Sequence, residues 1–558
     1  MASNRGLDSI TFNEVDEADH PTATYIYTQS TSHLPLEGDG KGHVRSGRID
    51  LLRDASSTTK SWSFKAFLDT LADVFLPTGY PHSVTEDYTP YQIFDSLQAF
   101  SSSIAGLLSS RAVLQGVGVG NADASPTSAL LLHILQDSSG RLATILFAHR
   151  VGTALEPECK MYRLAADVFN DSAMVLDCVS PMVPAGALRV IVLSTAGILR
   201  ALCGVAGGSS KASLSAHFSR WGNLAQVNAK DSSQETVISL LGMLVGSLVI
   251  SRVTGFYSTW ITLLMLLALH LSLNYAAVRS VQMTSLNRQR ANIVFSTILN
   301  SDEGFMQLLS HGAGASTSTH SNPSASKAAI SLPDASTGSC RLQVLTPSQV
   351  SKQERIFETD GILRWSSPAP GSTAVGRPFH PGVDIGTCRI GISLHQFLLG
   401  PSSSYPSSFF FSCLALRPSH FPQSMKTSIP LPQLSTLFKS EQYILYLGPA
   451  GNKWHARILL KSTCTPQDQL KAWVHALLTA RVLSFQLFAL GASSSAQRSK
   501  PQMEQGIDSI LNSIHQTLTF LNQNDRYERY MGALEDAGWD LTVRALETRP
   551  GRRVGSST

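Results

Sequence analysis

The chain has 558 residues, too many for one ordinary core, so more than one structural unit is expected. Charged residues make up 15%, well below the quarter or so of a typical soluble domain, and mean hydropathy is +0.04 although several stretches are plainly polar, so the apolar residues must be concentrated. The net charge of +4 is too mild and too evenly spread for a nucleic-acid partner. The seven cysteines (Cys159, Cys178, Cys203, Cys340, Cys388, Cys413 and Cys464) are odd in number and lack C-x-x-C spacing, which argues against a disulfide framework or a zinc site.

Residues 1–60 are polar, rich in Ser, Thr, Asp and Gly, and are expected to be a disordered N-terminal segment. Asp8, Glu14, Asp16, Glu17 and Asp19, with no apolar stretch among them, argue against a signal or transit peptide there, so membrane insertion would use internal segments. Phe64, Phe67, Leu68, Leu71, Val74 and Phe75 recur at helical spacing, and Pro77, Gly79 and Pro81 stop that helix. A second helix follows Thr89-Pro90, with Ile93, Leu97, Phe100, Ile104, Leu107 and Leu108 as its stripe. Residues 126–135, 163–179 and 190–205 predict buried helices. The first is too short for a hydrocarbon core of about 30 Å, and Asp177 and Arg200 interrupt the others.

Residues 236–251 and 253–278 contain no Asp, Glu, Lys or Arg, and only Arg252 separates them. The second run is long enough to span a bilayer and has no polar face to show water. Lys211, Arg220 and Lys230 precede the pair and Arg279, Arg288 and Arg290 follow it, which places both open ends on the cytosolic side. The reading is a membrane hairpin. A buried hairpin in a large soluble bundle is the alternative.

Residues 301–343 are rich in Ser, Ala and Gly and read as a flexible linker. A small α+β domain is expected over 344–490, with strands at 442–447 and 454–460 around the turn 449–452. Thr465 caps a following helix that has Pro466 first and Asp468 in its first turn. Residues 491–558 read as a linker and terminal helices, one over 507–521. The fold class is therefore mainly α: a helical membrane-embedded bundle over 61–300, then the α+β domain.

Several segments invite chemistry. Gly116-Val-Gly-Val-Gly120 lacks the G-x-G-x-x-G spacing and reads as close packing. Gly207-Gly208-Ser209-Ser210-Lys211 resembles a phosphate nest loosely, and a helix-terminal turn at the membrane surface is the plainer reading. Lys230, Asp231, Gln234 and Glu235 precede the apolar arm, where Ser232 and Glu235 have capping-box spacing. Arg163, Asp167, Asn170 and Asp171 share one helical face: Arg163 can pair with Asp167, and Asp171 needs a partner such as Lys160 or Lys211. A paired or solvated face is the plain reading. Inside a membrane unit, Asp167 and Asp171 become candidates for binding a cation, a proton or an amine. No metal site, G-x-S-x-G elbow or catalytic triad is assembled, so no catalytic residue is assigned and a non-enzymatic protein is expected.

These blocks carry a resemblance. Phe75-Leu-Pro-Thr-Gly-Tyr-Pro-His-Ser-Val, Asp87-Tyr-Thr-Pro-Tyr-Gln, Lys160-Met-Tyr-Arg-Leu-Ala-Ala-Asp-Val-Phe-Asn-Asp, Val205-Ala-Gly-Gly and Asn228-Ala-Lys-Asp-Ser-Ser-Gln-Glu-Thr resemble, in order and spacing, the root UVB sensitive protein family. The resemblance covers about residues 61–300 and is weaker in the C-terminal domain. This chain departs from the family at His133 and Tyr162, where Trp is usual, and at Lys211, where the family has Arg. The resemblance implies membrane association and a part in vitamin B6 homeostasis, with no established reaction.

Two functional expectations follow. In the first, a membrane-embedded protein transports or senses a small metabolite of the vitamin B6 type, and pyridoxal phosphate would suit Gly207, Gly208 and Lys211. In the second, a membrane-anchored scaffold uses its cytosolic C-terminal domain to bind another family member or another protein. Both take the lipid bilayer as partner and no nucleic acid.

Overall fold

The computed structural model describes residues 9–15, 21–32, 44–52, 64–117, 126–184, 186–314, 342–366, 382–399, 427–451, 453–493 and 506–555. They form two compact units, Met1–Leu107 with Leu214–Leu273, and Leu108–Ser213 with Asn274–Thr558.

The first unit opens with a departure from expectation. Within the expected disordered segment, β1 (Ser9–Val15), β2 (Pro21–Ser32) and β3 (Val44–Leu52) pair antiparallel in the order β1-β2-β3, and its other residues lie outside the described ones. The reason is local: β2 reads Thr-Ala-Thr-Tyr-Ile-Tyr-Thr, β-branched and aromatic residues that favour a pleated strand whatever their polarity. The first expected helix is α1 (Phe64–Phe75), and Gly79 follows it with φ +73°, where a Cβ would collide with the Trp221 ring. The second is α2 (Tyr88–Val117), longer than its stripe suggested.

Both hairpin arms are helical. α6 (Leu224–Arg252) and α7 (Phe256–Ser280) are joined by residues 253–255. α6 begins well before the apolar arm, so Ser232 and Glu235 lie inside a helix and the expected capping box does not form. Nothing in Ala225-Gln-Val-Asn-Ala-Lys breaks a helix, and a helix runs until something does. Gly242 and Gly246 are buried against α2: a Cβ on Gly242 would stand 2.8 Å from the Phe100 carbonyl oxygen, and one on Gly246 2.7 Å from Leu107 Cδ1. Ser101 Oγ donates to the Leu266 carbonyl of α7 at 2.9 Å.

In the second unit α3 (Pro126–Val151) extends far past the expected 126–135, and α4 (Cys159–Val179) and α5 (Ala187–Phe218) extend the other two helices. They enclose a cluster of Phe147, Val151, Ala154, Leu155, Ala166, Leu202 and Ala206. Gly207 to Lys211 lie within α5, so the expected helix-terminal turn is absent. A Cβ on Gly207 would sit 3.5 Å from Ala166 Cβ, an ordinary contact, and Gly208 has open space, so the glycines are carried inside a long helix at roughly 1 kcal/mol each relative to alanine.

The rest of this unit is one α+β core. Strands β4 (Ile362–Trp365), β5 (Val383–Ile390), β6 (Tyr443–Ala450) and β7 (Lys453–Lys461) run in the order β4-β5-β7-β6, and β8 (Arg553–Val554) pairs with β7. β5 and β7 are parallel, while β6 and β7 form the expected hairpin. Helices α8 (Arg288–Ser301), α9 (Glu303–Gly314), α10 (Pro347–Ser351), α11 (Leu394–Leu399), α12 (Leu431–Leu437), α13 (Pro466–Ser493), α14 (Ile507–Asn522) and α15 (Arg526–Asp536) complete it. Thr465 and Asp468 exchange hydrogen bonds at the start of α13, the expected cap.

The expected boundaries move here. Val294, Phe295, Ile298 and Leu299 of α8 and Phe305 and Leu309 of α9 share a core with Trp365, Tyr443, Trp454 and Trp473. The α+β core therefore starts before residue 301. The expected linker is helical over Glu303–Gly314, and its residues 315–341 lie outside the described ones. Composition misled because Ser, Ala and Gly do not exclude a helix whose Phe305 and Leu309 are buried.

Candidate functional site

The twelve candidate residues separate into two groups. In the first unit, α6 supplies Lys230, Asp231, Gln234 and Glu235. Lys230 Nζ donates to the Val74 carbonyl at 2.8 Å and Gln234 Nε2 to the Phe75 carbonyl at 2.6 Å. Both carbonyls are C-terminal orphans of α1, so these two side chains cap that helix, with a cation at its negative end. Asp231 is buried and accepts from Gln92 Nε2 at 2.7 Å. Burial, aided by the Asp231 charge, pushes the Tyr88 hydroxyl up to about 12. Glu235 is exposed. Next to Tyr88, His217 Nε2 meets Asp87 Oδ2 at 2.9 Å with both side chains buried, and Phe218 packs edge-on against Tyr88.

In the second unit, α4 carries Lys160, Arg163, Asp167, Asn170 and Asp171. Arg163 Nη1 pairs with Asp167 Oδ1 at 3.1 Å, as the spacing predicts. Asp167, Asp171 and Asp177 are all buried on α4, and Arg163, Asp167 and Asp171 act electrostatically on Cys203 of α5. Asp177 is buried between Ser109, whose Oγ donates to it at 2.8 Å, and Arg200 of α5, which forms an ion pair with it. Three carboxylates and two guanidiniums thus occupy this helix packing. Among the described residues, no three His, Cys, Asp or Glu side chains group as a metal site.

Lys160 does not reach Asp171. Its Nζ meets Glu354 Oε2 at 2.7 Å, and Arg290 Nε meets Glu354 Oε1 at 2.9 Å, with all three side chains buried. Burial lowers the Lys160 ammonium. Burial also opposes charge on Glu354, but Arg290 and Lys160 outweigh it and hold the carboxyl below its usual range. Arg288 pairs with Asp360 and approaches Glu158 at 3.9 Å, while burial lifts Glu158 to about 7. Lys160 is therefore held in a buried ion pair with the α+β core. Gly207 packs on α4, Gly208 is exposed along α5, and Lys211 is half-buried in that helix, so the expected phosphate cradle is not formed.

The Asp177–Arg200 pair, the Asp87–His217 pair and Glu354 were not among the sequence candidates. Opposite charges interrupting two apolar helices were the available signal for Asp177 and Arg200. Nothing local marks Glu354.

Comparison with known proteins agrees with the blocks quoted above. Residues 61–302 match the family model described as the vitamin B6 photo-protection and homoeostasis domain, and residues 425–550 match the root UVB sensitive protein C-terminal model. The C-terminal region is thus a family feature, more clearly than its residues suggested. RUS family member 1 of Dictyostelium discoideum is 42% identical over 238 residues, 42% of this chain and 45% of that protein. Protein root UVB sensitive 3 of Arabidopsis thaliana is 28% identical over 414 residues, 73% of this chain and 74% of that protein. The match thus spans under half of the first relative and about three-quarters of the second. No solved structure matches. With both regions matched in order, and with the α4 and α6 motifs in the first of them, the chain belongs to the root UVB sensitive family.

Proposed function

We propose that this chain is an integral membrane protein that acts in small-metabolite homeostasis of the vitamin B6 type, with α5, α6 and α7 crossing the bilayer and the α+β core on the cytosolic side. The observation that carries the reading is the outward apolar surface of the hairpin. Leu240, Leu241, Leu244 and Leu248 of α6 and Ile261, Leu264, Met265 and Leu269 of α7 are exposed, and the apolar window of α6 is only 11% buried. In water so large a patch is an aggregation liability, whereas lipid covers it at no cost. α5, α6 and α7 also have the length and composition of spans. The buried acids of α4 beside α5 support a polar route or binding position along these two helices, since ionisable groups at membrane depth are costly and retained for use.

Alkaline carbonate extraction tests the membrane reading: the chain should stay in the pellet, and release to the supernatant overturns it. Added protease should remove the α+β core from sealed right-side-in vesicles only after permeabilisation. Titration of the purified chain with pyridoxal, pyridoxine and their phosphates tests the metabolite reading. Saturable binding weakened by Asp167→Asn or Asp171→Asn is expected, and no saturable binding at about 1 mM counts against it.

A further inference from the structure

The exposed apolar band of the α6–α7 hairpin has a definite height. On α6, Glu235 and Arg252 are both exposed and bound the charge-free run. The sixteen residues between them, 236–251, give about 24 Å of helix rise. Val237, Leu240, Leu244 and Leu248 within that run are exposed. An ordinary hydrocarbon core is about 30 Å thick, so this arm falls short by roughly 6 Å.

α7 gives a similar height through a different kind of residue. Its exposed aliphatic side chains run from Ile261 to Leu269, and exposed tyrosines stand beyond both ends, Tyr257 and Tyr275. Tyrosine favours the headgroup level, where the ring meets apolar surroundings and the hydroxyl meets water. The two tyrosines are eighteen residues apart, about 27 Å of rise. Phe256, edge-on to Tyr257, adds to the aromatic band at the hairpin tip.

A shortfall is harder to relieve than an excess. A helix longer than the core can tilt, whereas tilting a short one lowers its height further. Sliding α6 deeper does not help, because Lys230 and Gln234 hold the last carbonyls of α1 just before the run and would draw them toward lipid. Arg252 can snorkel by a few ångströms, but the α7 tyrosines set a similar limit without a long side chain.

Resting on the membrane reading above, we propose that the hairpin's partner is a thin bilayer, with a hydrocarbon core of about 24–27 Å, built from short or unsaturated acyl chains and poor in sterol. Membranes of the endoplasmic-reticulum type, at about 27 Å, belong to this class, and sterol-rich plasma membranes, at about 32–33 Å, do not. In a thicker bilayer the lipid around α6 must thin locally, at a cost that grows with each ångström of mismatch.

The test reconstitutes the full chain in phosphatidylcholine bilayers with dimyristoleoyl, dioleoyl or dierucoyl chains, in order of increasing thickness, and follows thermal unfolding. The melting midpoint should be highest in the thinnest bilayer and fall by about 5 °C or more across the series. Glu235→Leu and Arg252→Leu each lengthen the charge-free run at one end. Either variant should shift the optimum toward the dioleoyl bilayer or flatten the fall. Carbonate extraction from the same bilayers separates the two ways of failing. A midpoint that is level across the series or highest in dierucoyl lipid, with the chain retained in the pellet, overturns the thin-bilayer partner and leaves the membrane reading standing. Release of the chain from all three bilayers overturns both.

Discussion

Lys160 and Glu354 lie 194 positions apart in sequence, yet their charged atoms meet at 2.7 Å with both side chains almost fully buried. Arg290 closes on the same carboxylate, so one acid is shared by two cations taken from α4 and α8. Glu354→Gln should therefore destabilise the fold by about 3–5 kcal/mol, because both cations lose the charge that offsets their desolvation. Lys160→Met should cost less, since Arg290 still partners Glu354. Thermal unfolding of the purified variants ranks them, and equal losses would contradict the shared-acid arrangement.

The neighbouring Glu158 sets a pH dependence of known sign. Burial lifts its carboxyl to about 7 from 4.5, with Arg288 and Arg290 only partly opposing. The folded chain thus holds this proton more tightly than the unfolded chain. The stability it contributes is fully present below pH 4.5 and is lost as pH rises through about 7. Glu354 acts oppositely: its lowered folded value gives stability above the ordinary glutamate range that is lost as pH falls below it. Melting midpoints of wild type should decline between these pH values, and Glu158→Gln should flatten the decline. An unchanged slope would remove Glu158 as its source.

α6 meets α2 through two glycines with unequal tolerance. A Cβ at residue 242 meets a backbone oxygen and Ser103 Cβ, both at 2.8 Å, whereas at residue 246 the nearest atom is the movable Leu107 Cδ1. Gly242→Ala should destabilise by about 1–3 kcal/mol despite alanine's better helix propensity, and Gly246→Ala by less. Protease susceptibility in detergent reads the order, and a reversed order would mean the helices do not pack through residue 242.

Asp177 and Arg200 respond unequally as well. The Asp177 side chain is 1% exposed and that of Arg200 45%. Arg200→Leu leaves a buried carboxylate with only Ser109 and should cost several kcal/mol, about 3 or more, while Asp177→Asn leaves a half-exposed guanidinium on a long side chain that can turn toward polar headgroups and should cost less. Chemical unfolding in detergent gives both values. Recovery of stability in the double variant would identify the pair as the coupled unit.

His475 sits at the centre of the α+β core, accepting from the Tyr443 hydroxyl through Nδ1 at 3.0 Å with Nε2 on the Ile514 carbonyl at 3.1 Å. Burial lowers it to about 3, so it is neutral in the fold. His475→Leu should cost about 2–4 kcal/mol by orphaning these partners. A loss below 1 kcal/mol in thermal unfolding would show that they find others.

Much of the helical architecture was legible because its signals are local. The charge-free runs on either side of Arg252 located the α6–α7 hairpin, and the β6–β7 turn and the Thr465 cap each lie within a few residues. The failures were also local. Polar composition hid β1–β3, and Gly207-Gly208 read as a turn although both lie inside α5. The candidate site was half legible: spacing gave the Arg163–Asp167 pair, but it offered Lys160 to Asp171, whereas Lys160 meets Glu354.

The sequence by itself determined the family, the hairpin and the helical face of acids on α4, since period, charge and residue order need no partner to be read. Only the tertiary structure decided which charges meet. A buried ion pair is stable only where two desolvated groups arrive together, and that distance is set by how α4, α8 and the segment around Glu354 pack, not by their separation along the chain.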